Sequence, residues 1–337
     1  MKLSIGIVGL PNVGKSTLFK ILTKQEVNIA NYPFATIDPN VGIVSVPDER
    51  LEKLAKSSSS KKIFPAIIEF YDIAGLVKGA NKGEGLGNKF LSHIRETNAI
   101  IHIVRCFKSA EIIHVEAEVN PLKDLEIINT ELILKDLETV EKRLISLGKE
   151  TKTGEKQKFK DLEILKKINE GLNKNILIAN FNKEIIDEPI VRELNFLTAK
   201  PQIYLLNGEE EDVDLELKEK IKFLGADYLI INLSAVDINN INELTKKAYE
   251  ILGLISFLTT GEDETRAWTI KKGMKAPQAA GEIHTDFEKK FIKAEVINWQ
   301  KLLELGSWSG AKQKGLIRLE GKEYIIQDGD VVIIKHG

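Results

Sequence analysis

Gly9-Leu-Pro-Asn-Val-Gly14-Lys15-Ser16 carries the sharpest chemical signal in the chain. Two glycines at this spacing, followed by a lysine and a hydroxyl, let backbone N–H groups close around a phosphate. Lys15 would bridge the β- and γ-phosphates, and the Ser16 hydroxyl would hold Mg²⁺. Asn12, Val13, Gly14, Lys15, Ser16 and Thr17 are the expected nucleotide contacts. Average residue usage yields such a match by chance in about one chain in a hundred of this length, before flanking structure is required. The plain alternative is a glycine turn in an ordinary strand–helix unit.

Further candidates lie downstream. Asn28 to Asn40 is rich in Pro, Asn and Asp and predicts a loop. Thr36 within it is the residue for Mg²⁺ and the γ-phosphate, or else a turn hydroxyl. Ile67-Ile-Glu-Phe-Tyr-Asp72-Ile-Ala-Gly75 predicts a strand ending in an acid. Asp72 would hold Mg²⁺ through water, and the Gly75 N–H would sense the γ-phosphate. Leu76 follows, where Ras-like enzymes use Gln to orient water, so another polar group must assist hydrolysis. His114 is a candidate for that role; a solvated loop histidine is the alternative.

Gln202-Ile-Tyr-Leu-Leu-Asn207-Gly208-Glu-Glu210 predicts a strand ending where GTPases place N-K-x-D. The lysine is absent and the acid is Glu210. Adenine offers no ring N–H for a base-reading Asp to accept, so losing the Asp removes guanine selectivity. Ser234-Ala235 resembles the pair that closes a GTPase base pocket. Asn180-Phe-Asn-Lys183 also follows an apolar run but lacks the Asp and is rejected. His284 with Asp286 has no third ligand in view and is read as a helix N-terminal cap.

These residues need a frame. Leu3 to Val8 predicts a buried parallel strand, and Thr17 to Leu22 a helix. The chain alternates strands and helices to about residue 121, the pattern of a parallel sheet covered on both faces. Ile133, Leu137, Val140, Leu144 and Leu147 then form a heptad seam. Phe159, Leu162, Leu165, Ile168 and Leu172 form a second helical stripe, with a turn from Gly148 to Lys158 between them. This predicts a projecting hairpin. Residues 149–167 hold seven Lys against four acids, which suits either a solvated tip or an arm that touches RNA or a partner. Leu229 to Ala235 reads as the last strand before a third unit of short strands that begins near Ile255.

The chain has 337 residues, enough for two or three domains, and a net charge of −2, so nucleic-acid contact must come from local patches. Its single cysteine, Cys106, excludes an intramolecular disulfide. With no signal-peptide layout and no membrane-length apolar run, the expected location is the cytoplasm.

The motifs at Gly9–Ser16, Asn31-Tyr-Pro-Phe-Ala-Thr36-Ile-Asp-Pro-Asn40 and Asp72-Ile-Ala-Gly75-Leu-Val-Lys-Gly-Ala resemble the Obg superfamily of P-loop NTPases. Gly83-Glu-Gly-Leu-Gly-Asn-Lys-Phe-Leu-Ser-His-Ile-Arg-Glu-Thr and Ala276-Pro-Gln-Ala-Ala-Gly-Glu-Ile-His-Thr-Asp-Phe-Glu-Lys narrow the resemblance to the YchF, or Obg-like ATPase, family. The resemblance implies an α/β G domain over 1–121 and 199–254, an inserted helical coiled-coil domain over 122–198, and a β-grasp TGS domain over 255–337. It implies ATP preferred over GTP, with N-x-x-E landing on Asn207 and Glu210. It implies K⁺ held through Asn12, and it matches His114 to a histidine proposed for hydrolysis. It also implies ribosomal RNA or ribosomal proteins as partners. The expectation is a slow ATPase switch acting as a monomer. Two other readings stay open: a GTPase of the same fold, or a ribosome- or RNA-binding module whose nucleotide is mainly structural.

Overall fold

The computed structural model describes residues 3–24, 40–73, 88–109, 119–150 and 155–337. The chain opens with β1 (Ser4–Val8), α1 (Lys15–Thr23), β2 (Val41–Ser45), α2 (Glu49–Ser57), β3 (Lys62–Phe64), β4 (Ile67–Asp72), α3 (Asn88–Glu96) and β5 (Ala99–Arg105). A helical segment follows: α4 (Pro121–Glu150), α5 (Lys156–Leu172), α6 (Lys183–Ile186) and α7 (Pro189–Leu194). The strand–helix pattern resumes with β6 (Gln202–Asn207), α8 (Leu215–Phe223), β7 (Asp227–Ile230) and α9 (Ile238–Ile251). The last part holds β8 (Leu254–Thr260), β9 (Glu264–Lys271), α10 (Ala276–Ile283), α11 (Thr285–Lys289), β10 (Phe291–Asn298), α12 (Trp299–Leu305), α13 (Trp308–Gln313), β11 (Arg318–Glu320) and β12 (Asp330–His336).

The first sheet has the order β2-β4-β1-β5-β6-β7. Its strands pair in parallel except β2, which runs antiparallel to β4. The expected all-parallel sheet therefore holds up to its edge, where β2 reverses. Alternation along the central strands sends successive side chains to opposite faces. Ile101, Ile103, Ile203 and Leu205 pack with Leu18 and Leu22 of α1 and Leu244 of α9. Val104, Tyr204 and Leu206 pack on the other face with Leu125 and Ile133 of α4.

The second sheet has the order β11-β10-β12-β8-β9-β3. Its outermost strand β3 comes from the N-terminal segment and pairs in parallel with β9, Ile63 opposite Thr265. Leu258, Ala267, Ile297 and Val331 of this sheet share one apolar core with the first sheet. Arg266 stacks over the Phe64 ring at 4.3 Å, covering the added strand.

The helical segment follows its seam. Ile133, Val140 and Leu147 are buried and Leu137 and Leu144 partly so, and α5 answers with Leu165, Ile168 and Leu172. Phe159, by contrast, is 49% exposed, because the stripe begins before its partner surface does. The turn is also shorter than expected: α4 continues through Glu150, and α5 starts at Lys156. Asp136, fully buried on α4, accepts Leu197 N at 2.9 Å, Thr198 N at 2.7 Å and Thr198 Oγ1 at 2.7 Å. It thereby fixes the return of the chain into β6. No helix among the described residues is long and apolar enough to cross a membrane.

Candidate functional site

The glycine loop links the end of β1 to the start of α1. Its backbone explains its composition. Gly14 has φ of 111°, and a Cβ there would lie 2.7 Å from Asn207 Nδ2 and 2.8 Å from Leu233 Cδ1. A Cβ on Gly9 would lie 2.5 Å from the Ile103 carbonyl oxygen. Side chains at either place would push the loop off the sheet. Asn12 is exposed and left-handed at φ of 61°, a conformation Asn tolerates better than most residues. Val13 is buried, while Ser16 and Thr17 stand exposed on the first turn of α1.

Lys15 Nζ donates to the Leu10 carbonyl at 2.6 Å, so the side chain folds back along its own loop. Burial pushes its pKa down to about 8, against the pull of the Asp72 carboxylate, which favours the charged form. Asp72 is buried at the end of β4, which lies beside β1. The site thus joins a partly desolvated cation, a hydroxyl and a carboxylate at the glycine loop. Ser16 and Asp72 are hard oxygen donors, the type that suits Mg²⁺ completed by phosphate and water. Among the described residues there is no cluster of three or more His, Cys, Asp or Glu that could hold a metal ion. Asn12 could offer K⁺ a side-chain carbonyl.

Asn207, 3% exposed, connects this loop to the far side of the site. Its Nδ2 donates to Val13 O at 2.9 Å and its Oδ1 accepts Leu233 N at 3.0 Å. Beyond it, Gly208, Glu210 and Ala235 line a cleft of about 260 Å³ together with Glu209, Asn232 and Asn240. Ser234 N donates to Asn232 Oδ1 at 2.9 Å. The strand expected over Leu229 to Ala235 ends at Ile230, because Asn232 turns the chain through its bonds to Ser234 and Glu209. Thr36, Gly75, Leu76 and His114 lie outside the described residues.

Three groups in this region escaped the sequence reading. Asn232 Nδ2 donates to Glu209 Oε1 at 2.6 Å, bridging the two loops that flank the cleft. Its only signal is an Asn just after a strand, a common turn feature. Lys218 of α8 pairs with Glu210. His102, the register neighbour of Val8, is buried, and its Nδ1 has no hydrogen-bond partner among the described residues. Burial, then the nearby Lys15 charge, push its pKa down to about 3, so it stays neutral. No sequence signal separates it from the apolar residues around it. The expected cap at His284 is present: its Nδ1 accepts Asp286 N at 3.2 Å.

A glycine loop between strand and helix, a half-buried lysine answering a strand-end acid, and a second strand-end Asn locking that loop define a P-loop NTPase with a G-domain fold. Two family models match: residues 4–140 fit MMR_HSR1, described as 50S ribosome-binding GTPase, and residues 254–337 fit YchF-GTPase_C, described as a protein of unknown function (DUF933). The chain is 47% identical to the ribosome-binding ATPase YchF of Bacillus subtilis, covering 98% of each chain. It is 44% identical to that of Mycoplasma genitalium, covering 99% of each. The solved structure of the Schizosaccharomyces pombe YchF GTPase superposes with a TM-score of 0.89 at 40% identity, covering 99% of this chain and 98% of that one. The chain belongs to the YchF family.

Proposed function

We propose that the chain binds ATP with Mg²⁺ at the Gly9–Ser16 loop and hydrolyses its β–γ anhydride, working as a slow nucleotide-dependent switch on the ribosome. The observation that carries this reading is Lys15, a partly desolvated cation folded back onto the Leu10 carbonyl of its own glycine loop, within the field of Asp72. Such a charge is costly unless an anion joins it, and a triphosphate supplies that anion. Lys15 and loop N–H groups would hold the phosphates, Ser16 and Asp72 would orient Mg²⁺, and Asn12 would bring K⁺ against charge developing in the transition state. Thr36 and Gly75 would sense the γ-phosphate, and His114 would assist the attacking water. The base would sit by Asn207, Gly208, Glu210, Ser234 and Ala235.

Ribosome association is supported by the names of the Bacillus and Mycoplasma relatives. Residues 1–121 with 199–254 would form the nucleotide domain, 122–198 the helical domain and 255–337 the TGS domain, in a cytoplasmic monomer. The second sheet and the α4–α5 pair support that division. The description of the Schizosaccharomyces relative as a GTPase favours a second reading, guanine nucleotide in the same site.

Calorimetric titration with ADP and GDP, in K⁺ and Mg²⁺, separates the two. ADP binding about tenfold tighter supports the ATPase. Equal or tighter GDP binding returns the chain to the GTPases. Absence of phosphate release from ATP, with binding intact, removes the enzymatic reading.

A further inference from the structure

We propose that Lys218 governs which purine the base cleft accepts, by holding the Glu210 carboxylate in an ion pair. This rests on the reading of Asn207–Glu210 as the base-reading stretch. Glu210 occupies the place from which a GTPase carboxylate accepts the N–H groups of guanine. Guanine presents a ring N–H and an exocyclic amine on that edge, whereas adenine presents a ring lone pair and its amine. A carboxylate free to face the cleft therefore favours guanine, and one already committed does not.

The geometry commits it. Glu210 lies in a single turn of 3₁₀ helix after β6, and Lys218 lies on α8, the next helix. Lys218 Nζ donates to Glu210 Oε1. The lysine side chain is 17% exposed and the glutamate 69% exposed, so the lysine stem packs against the protein while the pair itself lies at the surface. The neighbouring acids are committed too. Glu209 Oε1 accepts Asn232 Nδ2 at 2.6 Å, and Asp212 Oδ2 accepts Glu209 N at 3.0 Å. Lys218 is thus a positioning residue that acts through Glu210, and a glutamate at this place does not by itself discriminate against guanine.

The test is calorimetric titration of the full chain with ADP and GDP. In Lys218→Met, GDP binding is expected to tighten about tenfold relative to ADP, with ADP affinity within about twofold of the original. Lys218→Arg keeps the pair and should keep the original ratio. Lys218→Met combined with Glu210→Gln should restore that ratio, because the freed carboxylate is gone. Lys218→Glu releases Glu210 by repulsion, should move the ratio the same way, and serves as a second variant if Lys218→Met does not fold.

An unchanged ratio in Lys218→Met and Lys218→Glu, on a protein that prefers ADP, overturns the role of Lys218 and leaves the base-reading stretch standing. Equal loss of both nucleotides overturns it as well. An unsubstituted protein with no ADP preference removes the reading beneath it, and the Lys218 proposal falls with that reading.

Discussion

Arg50 and Asp328 stand 278 positions apart and meet at 2.6 Å, Arg50 Nη1 donating to Asp328 Oδ2. Arg50 belongs to α2 beside the first sheet, and Asp328 precedes β12 of the second. Asp48, the N-cap of α2, receives Arg50 Nε at 2.7 Å and aims the guanidinium. Asp328 in turn accepts Ser256 N at 2.9 Å. The two sheets are therefore fastened by a charge chain at their seam as well as by their shared core.

Because Asp328 is half exposed, the Arg50–Asp328 term is expected to be modest, about 1 kcal/mol. A double-mutant cycle of Arg50→Met and Asp328→Asn, read by urea unfolding, measures it. A coupling energy indistinguishable from zero would show that the pair is ornamental.

Asn207→Ala should do more than its size suggests. It leaves the Val13 carbonyl and the Leu233 N–H without their buried partner, at a cost of about 1–3 kcal/mol in stability. It also frees the phosphate loop from the base loops, so nucleotide affinity should fall at least about tenfold. Denaturant midpoints and nucleotide titration on the same preparation check both effects. A variant that loses stability but keeps its affinity would refute the linking role.

Lys15 makes binding pH-dependent in a stated direction. In the free protein its pKa is about 8, below the ordinary 10.5, so above that pH the amine is largely neutral. A bound phosphate restores the charge and raises the pKa, so nucleotide binding takes up a proton in the window above pH 8. Affinity should decline as pH rises through that window. Calorimetry in two buffers of different ionisation heat reads the proton directly, and Lys15→Ala should abolish the uptake.

Replacing K⁺ by Na⁺ should slow ATP hydrolysis if Asn12 helps hold a monovalent cation against the phosphates. Steady-state phosphate release in the two salts is the measurement. Equal rates would remove the potassium site.

The nucleotide loop was legible because its chemistry is local: spacing alone places Gly9, Gly14, Lys15 and Ser16, and Gly14 proves to need its missing Cβ. Asn207 was legible as a strand-end residue, but its bonds to Val13 and Leu233 join segments far apart in the chain, which no periodicity encodes. The heptad seam on α4 read correctly because burial follows a repeat, whereas Phe159 satisfied the same repeat beyond the packed surface. Lys218 was invisible because a lysine on an amphipathic helix looks like any solvated charge. The three residues of β3 carry too little pattern to reveal that they belong to the other sheet.

That borrowed strand has a consequence for biosynthesis. Lys62–Phe64 emerges from the ribosome long before Glu264–Lys271, the strand it must join. During that interval β3 has no ladder to enter, and the nascent N-terminal segment carries an unfinished edge. A fragment starting at Leu254 would have the complementary fault, an open β9 edge inviting strand exchange with another copy. Final closure of the second sheet is thus a late, long-range event, which cannot begin until about 200 residues beyond β3 have been made.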